Sequence, residues 1–279
     1  MNIFAATPHI TPKAEAVFSI AGITISNSHL MTFLSFGILL WLALRTRAAI
    51  IGKKKHTMAT HAVYWVIEML YETVAQVIPD KTWAKRVAPL TISIFLFVVA
   101  QYWLGILPIA GPITIGEHHT PLFRSGIADL NMTVGLAAVT IIAAQLYAFK
   151  YLGFKGNIGR YFVNPLKDPI MSFVGILELV AEFSRLLGLS FRLFGNVLAG
   201  EIILIIIAYL TQYVSPVALQ PFYLFELFIG IIQAFIFFML STVFISLGLE
   251  HHEHDDAAKN HVHSSPVTVT AENDISKAN

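Results

Sequence analysis

Between Leu186 and Leu249 the chain is almost wholly apolar, yet it holds three strongly ionisable side chains, Arg192, Glu201 and Glu226. A charge at the centre of a hydrocarbon layer costs about 2.5 to 3.5 kcal/mol on insertion scales, so such groups face a protein interior or a water-filled path and mark routes for ions. The chemistry open to this set is ion exchange at a carboxylate, steadied by a guanidinium. A buried structural ion pair between two helices is the alternative. Helical geometry of about 100° per residue weighs the two. Arg192, Gly195, Asn196 and Ala199 fall within about 100° of one another, together with Gly188, making a stripe of small residues around one cation. A neighbouring helix can approach that stripe closely, whether it belongs to this chain or to a partner. Glu201 is about 180° round from Arg192 and so is a poor local partner for it. The arginine is therefore expected to serve a carboxylate on another element. Glu226, Gly230 and Gln233, four and three residues apart, share one helix face. Two carboxyls lining one aqueous entry suit a relay that loads and releases a proton, while a pair of protonated, hydrogen-bonded glutamates is the other reading.

The elements that hold these residues follow from composition and run length. The 279 residues are 56% hydrophobic and 13% charged, with a mean hydropathy of +0.69. Soluble domains carry about 25% charge, so water is not the main solvent of this chain. A helix needs about 20 apolar residues to cross a bilayer. Five such spans are expected, at about 28–44, 87–109, 130–149, 169–210 and 221–249, with Thr211 to Gln220 as the turn between the last two. The fourth would reach roughly 60 Å at 1.5 Å per residue, about twice the hydrocarbon core, so it must tilt strongly, lie partly in the interface or break. Residues 61–77 carry apolar side chains at helical spacing with Glu68 and Glu72 opposite, and read as an interfacial or docking helix. The fold class is therefore an all-α integral membrane protein of about five transmembrane helices, with a long, strongly tilted final hairpin and an additional interfacial helix. Its parts are an N-terminal outer segment at 1–27, a membrane domain at 28–249 and a disordered polar inner tail at 250–279.

Basic residues cluster after the first span (Arg45, Arg47, Lys53, Lys54, Lys55), before the second (Lys81, Lys85, Arg86) and after the third (Lys150, Lys155, Arg160, Lys167). By the positive-inside rule these loops face the cytoplasm or its equivalent. The N-terminus and the loop from Gly111 to Asp129 are then outside and the C-terminus inside. No cleavable signal peptide is expected, because the first residues lack a basic region followed by a compact apolar core.

Several functions are set aside on the same grounds. The net charge of +1 and its segregation give no broad basic face for nucleic acid. With no cysteine there is neither a disulfide framework nor a thiolate metal site. No phosphate-binding P-loop pattern is present, and no cofactor or metal is called for. His251, His252 and His254 with Asp255 and Asp256 could hold a divalent metal, but a polar tail is the simpler reading. His118 and His119 are either solvated or tuners of an outer entrance. Trp41, Tyr102 and Trp103 read as interfacial anchors or packing rather than a cofactor box. A secondary transporter would show broken helices and repeated halves, which are not found. A purely structural scaffold would tolerate an apolar residue at position 192.

The run FRLFGNVLAGEII (Phe191 to Ile203) resembles the most characteristic segment of the a subunit of F-type ATP synthases. LFIGIIQAFIFFMLSTVFIS (Leu227 to Ser246) is similar to that family's last helix, and ADLNMT (Ala128 to Thr133) to the start of its third span, with weaker likeness at APLTISIF and LGILP. The resemblance extends from about Val17 to Gly248. It implies an ion-translocating, non-catalytic stator subunit that offers two half-channels to a rotating ring of c subunits, with peripheral-stalk b subunits, other synthase subunits and membrane lipid as further partners. Arg192 would face the carboxylate of each c subunit, across the small residues Gly188, Gly195 and Ala199. Asn196 and Gln233 match polar residues near the arginine, Glu201 an acidic channel residue, and Asp129 with Asn131 the outer mouth. Position 226 is histidine in some members, so the pair Glu201 and Glu226 is one variant of the relay. The implied location is a membrane, with a bacterial plasma (inner) membrane favoured. Proton and sodium both remain open as the coupling ion.

Overall fold

The computed structural model of the protein describes residues 16–20, 23–52, 58–106, 114–115, 120–121, 124–161 and 169–263. Its helices are α1 (Asn27–Ile50), α2 (Met58–Val77), α3 (Lys81–Ile106), α4 (Leu130–Tyr161), α5 (Pro169–Thr211), the single turn α6 (Ser215–Ala218) and α7 (Gln220–His263). Short antiparallel pairs, β1 (Ala16–Ile20) with β2 (Ile23–Ser26) and β3 (Thr114–Ile115) with β4 (Thr120–Pro121), lie between or before helices and form no layer of their own. Five helices are long and apolar enough to cross a membrane, in α1, α3, α4, α5 and α7. The all-α membrane class read from the sequence therefore holds.

Local chemistry sets the helix ends. Gly52, at φ +76°, ends α1, its N–H reaching the carbonyl of Ala49. After α2, Pro79 cannot continue the helix, and the carboxylate of Asp80 accepts the N–H of Thr82 at 2.8 Å to start α3. In α4 the backbone departs from helical angles at Gly153 (φ +75°), a conformation that glycine adopts without a Cβ clash. By contrast α5 is uninterrupted from Pro169 to Thr211. Of the three ways to accommodate its length, a break is thereby removed. The last helix also differs from expectation. The polar stretch expected to be disordered from Glu250 begins as a helical continuation of α7 to His263. No glycine or proline occurs between Glu250 and His263, and extending a formed helix costs far less than starting one. Residues 264–279, and His118 and His119, lie outside the described residues.

Lipid tails are as apolar as leucine, so helices in a bilayer associate through close packing and polar contacts rather than through water exclusion. The interior here is built on α3 and α7. Val87 and Val98 of α3 and Ala234 and Phe238 of α7 are completely buried, and Phe95 meets Phe238 edge to face at 6.1 Å. Gly230 admits the ring of Tyr102, since a Cβ there would come within 3.0 Å of it. Tyr102 is thus a core residue rather than an interfacial anchor. The amphipathic α2 buries Leu70 and Val74 and exposes Tyr64 and Trp65, and its C-terminal carbonyl at Val77 accepts Ser246 Oγ of α7. Helix α5 packs chiefly on α4 and leaves most of itself uncovered. Only 17% of its apolar window is buried within the chain, against 50% for α3 and 44% for α7.

Candidate functional site

Helices α5 and α7 run antiparallel, so their contacts climb one helix as they descend the other. Glu226 meets Gly200, Asn196 meets Gln233, and the guanidinium of Arg185 lies 5.1 Å from the ring of Phe244. These contacts form a polar seam through apolar surroundings. The hairpin expected at this end of the chain is present, turned by the 3-10 segment Gln212–Val214 and α6.

At the seam's first level stands Glu201. Its Oε2 accepts Arg124 Nη2 at 3.0 Å and Arg124 Nε at 3.3 Å. Arg124 is delivered by the segment before α4, where the turn Gly126–Ala128 is buried against α1, α3, α4 and α5. Gln101 of α3 fixes that turn, its Oε1 accepting the N–H of Gly126 and its carbonyl accepting Ser125 Oγ. One residue below Glu201, Gly200 gives the seam its tightest point. Its missing side chain is where the carboxyl of Glu226 lies, and any Cβ at 200 would collide with that group. Glu226 is buried.

The second level is the amide pair. Asn196 Nδ2 donates to Gln233 Oε1 at 2.7 Å. Gln233 is buried, and its Nε2, like the hydroxyl of Tyr102, has no hydrogen-bond partner among the described residues. Buried polar atoms are nearly always satisfied, so both point to a place where water or a partner group is met. Next to this pair, Arg192 turns outward. It is exposed, and among the described residues no carboxylate pairs with it. Asn196 and Ala199 are exposed beside it, and nothing lies within 4 Å of where a Cβ would stand on Gly188 or Gly195. The stripe of small residues is therefore a surface of this chain, not a contact with another of its own helices. An internal structural ion pair for Arg192 is absent among the described residues.

Two residues expected at an outer mouth occupy a helix start instead of the seam. Asp129 accepts the N–H of Asn131 at 3.0 Å on its carboxylate and those of Met132 and Thr133 on its carbonyl, capping α4. Asn131 is exposed on the first turn. Three residues of the site escape sequence reasoning: Arg124, Gly200 and Tyr102. A signal existed for the first, because Arg124 is the sole lysine or arginine in a loop that the charge rule places outside. Gly200 and Tyr102 carry no such mark, since a helical glycine and an apolar-face tyrosine are ordinary. Among the described residues no group of three or more His, Cys, Asp or Glu is placed to hold a metal ion.

Comparison with known proteins gives a single direction. A family model described as ATP synthase A chain matches residues 29–246. ATP synthase subunit a of Enterococcus hirae is 36% identical over 208 residues, covering 72% of this chain and 83% of that protein. ATP synthase subunit a 2 of Vibrio campbellii is 34% identical over 194 residues, covering 67% and 75%. A Mycobacterium leprae ATP synthase subunit a is 34% identical over 173 residues, covering 62% and 66%.

Proposed function

This chain belongs to the ATP synthase A chain family, a membrane-sector component that works with other ATP synthase subunits, and we propose that it is the stator half of the sector's ion path. Its open face, Gly188, Arg192, Gly195, Asn196 and Ala199, receives the rotating c ring, and Arg192 stabilises the ionised carboxylate that each c subunit carries. Protonation frees that carboxylate to rotate into lipid. The observation that carries this reading is an outward guanidinium, unpaired among the described residues, on a helix face where Gly188 and Gly195 have open space in place of side chains. A cation in low dielectric has strong reason to acquire a carboxylate, and this chain offers it none among the described residues.

Ions enter an outer half-channel along the seam of Glu201 and Glu226, load a ring carboxylate near Asn196 and Gln233, and leave by an inner half-channel beyond Arg192. Asp129 and Asn131 stand near the entry. Arg192 separates the two halves and prevents a direct leak. Each charge moved through 100 mV yields about 2.3 kcal/mol, so rotation must gather several ions for every ATP made elsewhere in the complex. The chain itself performs no ATP chemistry, and b subunits of a peripheral stalk hold it still. We place it in a bacterial plasma membrane, and the distribution of its basic residues supports an N-terminus outside and a C-terminus in the cytoplasm.

The deciding experiment uses vesicles carrying the assembled complex with Arg192→Ala. Loss of both ATP-driven ion pumping and ATP synthesis under an imposed gradient, with assembly intact, is expected. Retained coupled transport would overturn the role of Arg192.

A further inference from the structure

Two buried polar groups beside the seam stand without a partner among the described residues. Tyr102 and Gln233 are each only 2% exposed, and nothing there bonds the hydroxyl of the first or Nε2 of the second. Gly230 brings them to one place. The ring of Tyr102 rests on Gly230, so closely that a Cβ there would come within 3.0 Å of it, and Gln233 follows three residues later on the same face of α7. Glu226, 8% exposed, precedes Gly230 by one turn on that face. The order along the seam is therefore carboxyl, phenol, amide, and the last of these reaches Asn196, one turn from Arg192.

Packing alone does not call for that phenol. Phenylalanine fills nearly the same volume without burying an unmatched hydroxyl, and α3 and α7 use it at Phe95, Phe237 and Phe238. A roll of α3 toward solvent is also resisted. The residue before Tyr102, Gln101, is fully buried and is tied by its side chain to Thr32 of α1 and to the N–H of Gly126.

We propose that Tyr102 is a further residue of the ion path: with Gln233 it holds a water on the Gly230 face of α7, and that water passes protons between Glu226 and the ring carboxylate, an assignment that rests on the half-channel reading above. Buried water bonds to about three polar groups, and this face supplies them. Nε2 of the amide donates to the water oxygen and fixes it. As a proton leaves the Glu226 carboxyl for that oxygen, a different proton leaves the same oxygen for the ring carboxylate, so one O–H bond forms for each that breaks. The water must then turn back. A phenol both donates and accepts, so Tyr102 stays bonded to the water in both orientations.

The test uses membranes carrying the whole complex, with ATP-driven proton uptake by the vesicles divided by the amount of assembled complex. Tyr102→Phe keeps the ring on Gly230 and deletes only the hydroxyl. Uptake is expected to fall at least tenfold, as for a lost proton-transfer group, with assembly at the wild-type level. A merely structural tyrosine would leave uptake unchanged, because its packing is preserved. Gln233→Leu should lose more, since it also gives up Asn196, and Tyr102→Phe/Gln233→Leu should be no slower than Gln233→Leu alone, because one water is lost once. Four results overturn the inference: uptake by Tyr102→Phe near wild type, failure of that variant to assemble, losses that multiply in the double variant, or a wild-type complex that pumps sodium and no protons. Arg192→Ala in the same series separates the two levels of the argument. If it is inactive while Tyr102→Phe pumps normally, only the role of Tyr102 falls; if it pumps, the half-channel reading falls with it.

Discussion

One helix, α5, carries both a charge paired within the chain and a charge that is unpaired among the described residues. On the side facing the Arg124 segment and α7, Glu201 has its counter-ion and Gly200 makes room for Glu226, while Asn196, at the edge of the open face, reaches across to Gln233. On the other side Arg192 faces outward with no partner among the described residues, flanked by glycines that nothing covers. A helix that satisfies its polar groups so closely on one face and leaves a cation open on the next is finished inside and unfinished outside. In the function proposed above, the missing part is another protein.

Substitutions can break that contrast from either face. The largest effect is expected on the open one: Gly195→Leu adds a branched side chain where there is now empty space, so the chain itself should fold while coupled ion transport falls at least tenfold. Pumping measured beside the quantity of assembled complex checks this, and normal pumping would mean that the stripe meets only lipid. On the closed face, Gly200→Val forces a branched Cβ into the carboxyl of Glu226, and overpacking of this kind costs about 1 to 3 kcal/mol. A fewfold loss of transport with a lower thermal midpoint of the solubilised protein is the expected result. Asn196→Leu removes the donor to Gln233 and leaves a second buried polar atom unmatched, worth about 1 to 3 kcal/mol. Its companion Asn196→Leu/Gln233→Leu should recover part of that stability without recovering transport, which sharpens the difference between holding the seam and running it. The smallest effect belongs to Asp129→Ala, which deletes a helix cap worth about 1 kcal/mol. A drop of a few degrees in thermal midpoint with pumping nearly unchanged would confine Asp129 to capping, whereas a large loss of pumping would restore it to the ion path.

Much of this arrangement was legible before any coordinates. Composition and run length yield the number of spans, and the spacing of 192, 195, 196 and 199 yields a small-residue stripe, because helical periodicity is a local property of the sequence. The opposition of Arg192 and Glu201 follows from the same arithmetic, and in the structure they do face different neighbours. What periodicity cannot supply is the identity of a partner far along the chain. Arg124 reaches Glu201 across 77 residues, and the packing of the adjoining turn, with Gly126 anchored by Gln101, holds it there. The role of Gly200 is equally non-local, since it depends on which residue of α7 lies opposite. The helical stretch after Glu250 was missed for another reason: polar composition argued for disorder, while the adjoining helix lowers the threshold for continuing.

The order in which the counter-charges occur along the chain bears on biogenesis. Arg124 is synthesised before Glu201, so when the acidic stretch of α5 emerges from the ribosome its cation already belongs to the preceding part of the polypeptide. A nascent α5 can thus be neutralised by a residue made earlier instead of waiting for one still to come. Arg192 has no such predecessor among the described residues, and under the proposed function its neutralisation is deferred until a separate polypeptide arrives.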